Sequence, residues 1–190
     1  MDLSLLHFLT MVGKLKHLKR TGWVKNEVNE PECVASHMYR MSIMGMLIPQ
    51  DSTIDKNRVI KMALVHDMAE AIVGDITPSC GVSQVDKYNM EKAGLLEMTK
   101  NIPDKAIADE IHGLWQEYED GTTEVARLVK DFDKFDMILQ AYEYEQEQQK
   151  IGHRGLEEFF NSTKNIFKTD MVKSWDTALR QKRNLPPESE

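Results

Sequence analysis

Apolar residues recur at three- and four-residue intervals along most of the chain, a spacing that places them on one face of an α-helix. Leu5, Leu9 and Val12 share such a face near the start, and the pattern predicts a helix over about residues 3–18. Breaks in the pattern at residues 21–30 predict a loop. Further helices are predicted over 34–48, from Ile54 to His66–Asp67, and over 83–101, 104–119, 122–149, 154–167 and 170–183. The sequence therefore predicts an all-α fold.

Length and composition favour one compact helical bundle. The chain has 190 residues, 41% of them apolar, with only 10 glycines and 6 prolines, which is enough apolar material for a single domain with its own core. We expect the domain to span residues 1–168, with a C-terminal helix over 169–184 packed on it. Residues 185–190 are predicted to be a disordered tail.

Charge and cysteine content narrow the partners and the compartment. The net charge of −7 argues against a basic groove for polymeric nucleic acid, and no apolar run approaches the roughly 18 residues that a membrane span needs. The two cysteines, Cys33 and Cys80, suit a reducing compartment better than a disulfide framework. The opening residues 1–4 lack the basic start of a signal peptide. We expect cytoplasmic residence, with nuclear or mitochondrial residence left open.

Adjacent His66 and Asp67 at the end of a predicted helix are the most informative chemical feature. An imidazole and a carboxylate side by side offer two ligands to one divalent metal ion, and the other ligands must come from elsewhere in the chain. His37 is a candidate, because it lies in a predicted helix whose apolar face includes Val34 and Met41. Such a mixed nitrogen and oxygen set suits Mn, Co, Fe or Mg better than a structural zinc site.

A further carboxylate ligand is expected from the predicted helix over 122–149. Three acids, Asp131, Asp133 and Asp136, follow one another there. Helical phase favours Asp133, which follows the apolar Phe132, although all three could instead form a solvated acidic stretch.

Glu70 is the candidate general acid or base. It lies about one helical turn after His66 and Asp67, within reach of a water molecule that a metal ion activates. Its alternative role is a surface salt bridge. Arg20 can neutralise a phosphate through its bidentate guanidinium group, or it can cap the first helix. Trp23 can offer a flat wall to a sugar or base, or it can be a packing anchor.

Four segments together resemble the HD-domain superfamily of metal-dependent phosphohydrolases, and within it the 5'-deoxynucleotidase branch. They are Arg20-Thr-Gly-Trp23, residues 32–40 around His37, the block from Leu64 to Pro78 that contains His66-Asp67, Glu70 and Gly74-Asp75, and Leu128-Val-Lys-Asp-Phe-Asp133. The resemblance covers roughly residues 5–168. It is specific because the order histidine, histidine-aspartate, aspartate is accompanied by the glutamate and the glycine-aspartate element.

The resemblance implies a site and a reaction. It implies one divalent metal ion (Mn, Co or Mg) held by His37, His66, Asp67 and Asp133, with Asp67 and Glu70 as catalytic residues. It also implies a substrate pocket formed by Arg20, Trp23, Asp75, Ile76, Thr77 and Pro78, in which Asp75 contacts the sugar. The implied reaction is hydrolysis of a 2'-deoxyribonucleoside 5'-monophosphate to deoxynucleoside and phosphate, in a homodimer.

Two alternatives stay open at this point. The first is another HD phosphohydrolase acting on a cyclic or polyphosphorylated nucleotide, although the remaining histidines, His7, His17, His112 and His153, show no second-metal arrangement. The second is a non-catalytic helical binding protein. Glu70 argues against the second, because ligands kept for stability alone would not need an acid facing the water.

Overall fold

The computed structural model of the protein describes residues 3–149 and 156–184. The helices are α1 Leu3–Gly13, α2 Thr21–Lys25, α3 Val34–Met46, α4 Lys56–Val65, α5 Glu70–Val73, α6 Gln84–Thr99, α7 Lys105–Asp120, α8 Glu124–Gln149, α9 Glu157–Ser162 and α10 Asp170–Arg183, with 3₁₀ turns at Lys14–Lys16 and Pro78–Cys80. Within those described residues the only β-type pairing is an isolated antiparallel bridge between Lys19 and Cys33. The predicted all-α fold is confirmed.

The described residues form two compact units, one ending at Ala126 and the other beginning at Arg127. Across residues 3–149 and 156–184, no helix combines the length and the apolar character that crossing a bilayer requires. The predicted division at residue 168 stays a prediction, and the tail predicted over 185–190 lies outside the described residues.

Polar caps fix where α4, α6 and α7 begin. The side chain of Asp55 accepts a 3.0 Å hydrogen bond from the amide of Arg58 at the start of α4, and Ser83 accepts one of the same length from Asp86 at the start of α6. Asp104 plays the same part for α7. These bonds satisfy amides that lack partners inside the helix, so each helix begins at a defined residue.

Helices α3 and α4 pack closely because α3 carries a glycine at the contact. A Cβ atom added to Gly45 would lie 2.9 Å from Cγ1 of Ile60 and 3.3 Å from Cγ1 of Val59. Residues on both sides of this contact are fully buried, including Met41 on α3 and Met62 on α4. This packing brings the α3 residue His37 and the end of α4 into one region.

In the second unit, α8 and α10 pack through aromatic rings. The rings of Phe132 and Trp175 stack with centroids 5.7 Å apart. Arg183 forms a two-bond ion pair with the buried Glu145 at 2.7 and 2.9 Å. The helix predicted over 170–183 is therefore present and anchored at both ends.

The predicted loop over residues 21–30 was wrong in its first half. Thr21–Lys25 is the short helix α2, and an acceptor distant in sequence caps its first amide, as described below. The first helix ends at Gly13 and gives way to a 3₁₀ turn before the predicted end at residue 18. The helix predicted over 154–167 spans Glu157–Ser162, and Asn165 adopts a left-handed conformation with φ 61° that ends any continuation.

Candidate metal centre

His66 follows α4 directly, and the end of its own helix orients its ring. Nδ1 of His66 donates a 2.9 Å hydrogen bond to the carbonyl oxygen of Ala63. That carbonyl is one of the last in α4, so it lacks an intrahelical partner. Because a carbonyl can only accept, Nδ1 carries the proton in the neutral form of the ring, and that form presents the lone pair of Nε2. This is the tautomer that a metal ligand needs.

Three groups surround one oxygen of the Asp67 carboxylate. Oδ2 of Asp67 lies 3.1 Å from Nε2 of His66, 3.7 Å from Nε2 of His37 and 3.3 Å from Nη1 of Arg20. Both histidine side chains are fully buried, whereas 16% of the Asp67 side chain is exposed. Four residues predicted from sequence therefore meet at one point, and that point stays open to solvent on the Asp67 side.

The Asp67 carboxylate is held in its charged form. Burial opposes the charge, but the neighbouring His66, His37 and Arg20 outweigh it and hold the pKa of Asp67 well below its ordinary value. Asp67 is therefore ionised at any pH at which the protein works, as a metal ligand must be.

The donor atoms fit a divalent cation. Among the described residues, Nε2 of His66 makes no hydrogen bond of acceptable geometry, although Oδ2 of Asp67 is only 3.1 Å away. When the His66 ring is neutral, the lone pair of Nε2 and the Asp67 carboxylate oxygen repel each other unless a cation lies between them. His66, Asp67 and the nearby His37 are therefore candidate ligands for one ion.

Glu70 is the first residue of α5 and is only 3% exposed. Its Oε2 atom has no hydrogen-bond partner within the described part of the chain. Burial raises the pKa of Glu70 well above its ordinary value, and the nearby charges of Asp67 and Asp75 raise it further. A buried carboxyl with a raised pKa beside a cluster of ligands suits proton transfer, so the surface salt bridge is not the role that the structure shows.

The loop after α5 is attached to the start of α2. The amide of Thr21 donates a 2.7 Å hydrogen bond to Oδ2 of Asp75, and the hydroxyl of Thr21 donates one of 2.7 Å to the carbonyl oxygen of Asp75. Gly74 turns the chain into this loop with φ 79°, a conformation that favours glycine. Arg20 immediately precedes Thr21, so the loop also positions Arg20.

The other predicted pocket residues differ in their exposure. Ile76 is buried, Thr77 is half-buried, and Pro78 is exposed at the start of the 3₁₀ turn. Trp23 is 1% exposed, and its Nε1 donates a 3.0 Å hydrogen bond to Oε1 of Glu32. This burial favours the packing alternative for Trp23, whose side chain anchors α2 in the protein interior.

Asp133 and its neighbour Asp131 have separate roles within the second unit. Asp131 accepts hydrogen bonds from the amides of Lys168 and Thr169 and from the hydroxyl of Thr169, so its carboxylate caps the start of α10. Asp133 is 9% exposed, and Oδ2 lies 3.0 Å from Nζ of Lys134. The capping bonds occupy Asp131, whereas Asp133 remains a candidate metal ligand.

Sequence reasoning missed several residues near the centre. Tyr118 of α7 packs its ring 4.9 Å from that of His66, and Thr21 attaches the Asp75 loop. Lys87 and Glu91 of α6 interact electrostatically with Asp67. A lysine and a glutamate four residues apart are a visible signal, but the same spacing is common on solvated helix faces.

Comparison with known proteins identifies the family. The family model described as HD domain matches residues 12–175, which covers most of the chain and extends across both units. The chain therefore belongs to the HD-domain family, a class of helical proteins in which the paired histidine and aspartate give the family its name.

Individual relatives agree with this assignment. The chain is 48% identical over 186 residues to a Dictyostelium discoideum protein named 5'-deoxynucleotidase HDDC2, with 94% of this chain and 97% of the relative covered. It is 44% identical over 164 residues to the Homo sapiens protein of the same name, with 86% and 78% covered. A solved structure of a Pyrococcus horikoshii protein superposes with a TM-score of 0.73 at 32% identity, covering 93% of this chain and 96% of the other.

Proposed function

We propose that this protein is a metal-dependent 5'-deoxynucleotidase, which hydrolyses 2'-deoxyribonucleoside 5'-monophosphates to deoxynucleoside and inorganic phosphate. The observation that carries the proposal is the meeting of His37, His66 and Arg20 around the Asp67 carboxylate. This arrangement joins a metal site to a phosphate-binding cation. The names of the relatives that cover nearly the whole chain support the same reaction.

The proposed ligands are His37, His66, Asp67 and Asp133. The first three lie together in the first unit, and the burial of Asp133 and the capping role of Asp131 support Asp133 as the fourth. Nitrogen and oxygen donors of this kind suit Mn, Co or Mg. When bound, such an ion lowers the pKa of a coordinated water and offsets negative charge on the phosphoryl group.

Arg20 and Glu70 supply the protein's own chemistry. Arg20 is only 13% exposed at its side chain and already contacts a ligand carboxylate, so its positive charge lies where the phosphate must approach. The buried Glu70 takes a proton from the attacking water and returns one to the 5' oxygen of the leaving nucleoside. The raised pKa of Glu70 suits both directions of transfer.

The loop containing Asp75, Ile76, Thr77 and Pro78 is the proposed contact for sugar and base. Asp75 is half-buried, and its position is fixed by Thr21, so a ribose 2'-hydroxyl would meet a loop that does not move freely. We assign the selection of deoxyribose over ribose to this loop. The buried Trp23 contributes by anchoring α2, the helix that directly follows Arg20.

Phosphate release by metal-stripped protein resupplied with Mn, Co or Mg tests the proposal. The substrates are 5'-deoxynucleotides, 5'-ribonucleotides, cyclic nucleotides and nucleoside triphosphates. The expected result is release from deoxynucleoside monophosphates that Asp67→Ala abolishes and Glu70→Gln lowers by roughly 100-fold or more. Asp109→Asn, on the exposed face of α7, is the control for loss of one carboxylate.

Two other results would assign a different function to the protein. Release only from cyclic or polyphosphorylated nucleotides assigns a different HD phosphohydrolase activity. Metal binding without release from any nucleotide makes the protein a binding protein and overturns the proposal.

A homodimer is part of the proposal, with α3 as the interface. Three apolar side chains of this helix are exposed in the single chain, Tyr39 65%, Ile43 40% and Met46 60%, and so is Leu47, 61%, directly after it. An apolar stripe of this kind marks an association surface, and a second copy of the chain offers a matching one. Light scattering is expected to give the mass of a dimer, and Met46→Glu is expected to reduce it to a monomer. Leu96→Glu, on an exposed apolar residue of α6, is the control.

Cytoplasmic residence is also proposed. The thiols of Cys33 and Cys80 are not joined in a disulfide, which is the state that a reducing compartment maintains. Microscopy of a fluorescent fusion tests this, and exclusive location in an oxidising compartment would contradict it.

A further inference from the structure

Helix α6 lies unusually close to α5 because it carries a glycine where the two cross. A Cβ atom added to Gly94 would lie 3.3 Å from Cγ1 of Val73 and 3.4 Å from the carbonyl oxygen of Ala69. Gly94 is buried there. The absence of a side chain therefore lets the backbone of α6 rest directly on the segment that begins with Glu70.

Lys87 and Glu91 lie on the same face of α6 as Gly94. Their positions, seven and three residues earlier, repeat at helical spacing, so this face directs both toward α5. Nζ of Lys87 lies 3.4 Å from Oε1 of Glu91. The Glu91 side chain is 7% exposed, whereas that of Lys87 is 40% exposed. The carboxylate is thus fixed in the protein, and the ammonium group stands at the edge of the solvent.

The charge on Lys87 reaches the carboxylates of the metal centre. Burial lowers the pKa of Lys87, but Glu91, Asp67 and Glu70 together raise it above its ordinary value. In return, the charge of Lys87 lowers the pKa of Glu70 against the effect of burial. Burial raises the pKa of Glu91 to about 7, and Lys87 opposes that rise. The charge of Lys87 therefore acts on Asp67 and Glu70, although Lys87 lies on a different helix from every predicted site residue.

We propose that Lys87 is a second phosphate-binding cation of the site and that Glu91 is the positioning residue that holds it. This rests on the proposed function. A phosphomonoester dianion that enters this region meets the carboxylates of Asp67, Glu70 and Asp75, and Arg20 is already in contact with Asp67. A second cation offsets that repulsion, and the flexible stem of a lysine lets the ammonium group follow the phosphate.

The partner glutamate explains why Lys87 stays near the site. A buried carboxylate is costly unless it is paired, and Lys87 is the cation within reach of Glu91. A salt bridge that served stability alone would not require its cation to act on the carboxylates of the candidate metal centre. In this pair, Glu91 is the buried and fixed residue, and the more exposed ammonium group of Lys87 can move toward a bound phosphate.

The test compares Lys87→Gln, Lys87→Arg and Glu91→Gln with Lys105→Gln, which removes one exposed lysine charge from α7. Two quantities are measured at pH 8 on metal-loaded protein: KM and kcat for a deoxynucleoside monophosphate, and the Kd of inorganic phosphate by calorimetry. Lys87→Gln is expected to raise both KM and the phosphate Kd by roughly tenfold or more, with a smaller effect on kcat. Lys87→Arg restores part of the binding, and Lys105→Gln changes neither quantity.

Glu91→Gln separates positioning from direct binding. It is expected to raise KM and the phosphate Kd less than Lys87→Gln does, and to add little when Lys87 is already Gln, because its effect passes through the lysine. Thermal unfolding of each variant reports whether it is folded.

A Lys87→Gln protein whose phosphate Kd stays within twofold of wild type would overturn the proposal and leave a structural ion pair. If wild type hydrolyses no deoxynucleotide but Lys87→Gln still weakens phosphate binding, the nucleotidase assignment fails and the phosphate site stands.

Discussion

Thr21 and Asp75 hold each other through two hydrogen bonds, one to the side chain of Asp75 and one to its main chain, both of 2.7 Å. They are 54 residues apart in sequence. The first bond caps α2 from outside, and the second fixes the loop after α5. The proposed phosphate-binding residue Arg20 and the proposed sugar-binding loop therefore share one point of attachment.

Thr21→Val is expected to lower the free energy of unfolding by about 1 kcal/mol and to raise KM for deoxynucleotide, because it removes the hydroxyl bond and keeps the amide bond. Urea unfolding and steady-state kinetics measure the two effects. The control is Thr10→Val, which removes a hydroxyl bond of 2.8 Å on the exposed side of α1 and should leave KM unchanged. A Thr21→Val protein with the wild-type KM would show that the hydroxyl bond between Thr21 and Asp75 does not affect substrate binding.

Asp131→Ala and Asp133→Ala should separate stability from metal binding. Loss of the Asp131 carboxylate removes the cap on the amides of Lys168 and Thr169, so we expect a destabilisation of about 1–2 kcal/mol with metal content preserved. Loss of the Asp133 carboxylate is expected to lower metal content sharply. Thermal unfolding of the metal-free proteins and elemental analysis after dialysis measure both. Retention of full metal content by Asp133→Ala would exclude it as the fourth ligand.

Gly45→Ala and Gly113→Ala are expected to change stability in opposite directions. Alanine at position 113 meets open space in the middle of α7 and should stabilise the protein by about 0.5–1 kcal/mol through helix propensity. Alanine at position 45 meets Ile60 at 2.9 Å and should destabilise it by about 1–3 kcal/mol through overpacking between α3 and α4. Thermal unfolding of both variants checks the signs. Equal stabilisation by both would show that the α3–α4 contact accommodates the added methyl group without a loss of stability.

The metal-free protein is expected to lose stability as pH rises from about 5 to 8, and Glu91 is one cause. Burial raises the pKa of Glu91 from 4.5 to about 7, so the folded state binds more protons than the unfolded state between these values. Stability from this group is full below pH 4.5 and disappears as pH rises through about 7. The free energy of unfolding of Glu91→Gln, relative to that of wild type, should therefore be higher at pH 8 than at pH 5 by on the order of 2 kcal/mol.

Urea unfolding at the two pH values measures this difference. Glu97→Gln, on an exposed glutamate of the same helix, should show no such change. An equal difference between wild type and Glu91→Gln at both pH values would contradict the prediction.

The elements that could be predicted from sequence are those whose signal is local. Helix α8 was predicted over 122–149 and spans Glu124–Gln149, and α6 was predicted over 83–101 and spans Gln84–Thr99. His66 and Asp67 directly follow the end of α4, as predicted. In the structure, the capping residues Ser83 and Asp104 begin α6 and α7 close to where the apolar pattern predicts.

Features that depend on distant residues could not be predicted. Helix α2 is too short to show a period, and its first amide is capped by Asp75 from another part of the chain. Lys87 and Glu91 look like a solvated helix pair, since nothing in their own helix shows that Gly94 brings it against α5. The capping role of Asp131 could not be predicted, because the amides that it caps belong to Lys168 and Thr169, far along the chain.

The His66 side and the Arg20 side of the candidate metal centre differ in how easily a mutation disrupts them. The carbonyl of Ala63 fixes the ring of His66, and every residue that can replace Ala63 in a helix carries the same carbonyl. The backbone thus determines that Nδ1 of His66 carries a proton, and substitutions at position 63 leave this unchanged. Arg20 depends instead on the Thr21 hydroxyl and the Asp75 carboxylate, both of which a single codon change can remove. Divergence within such a lineage should therefore alter substrate choice well before it alters metal binding.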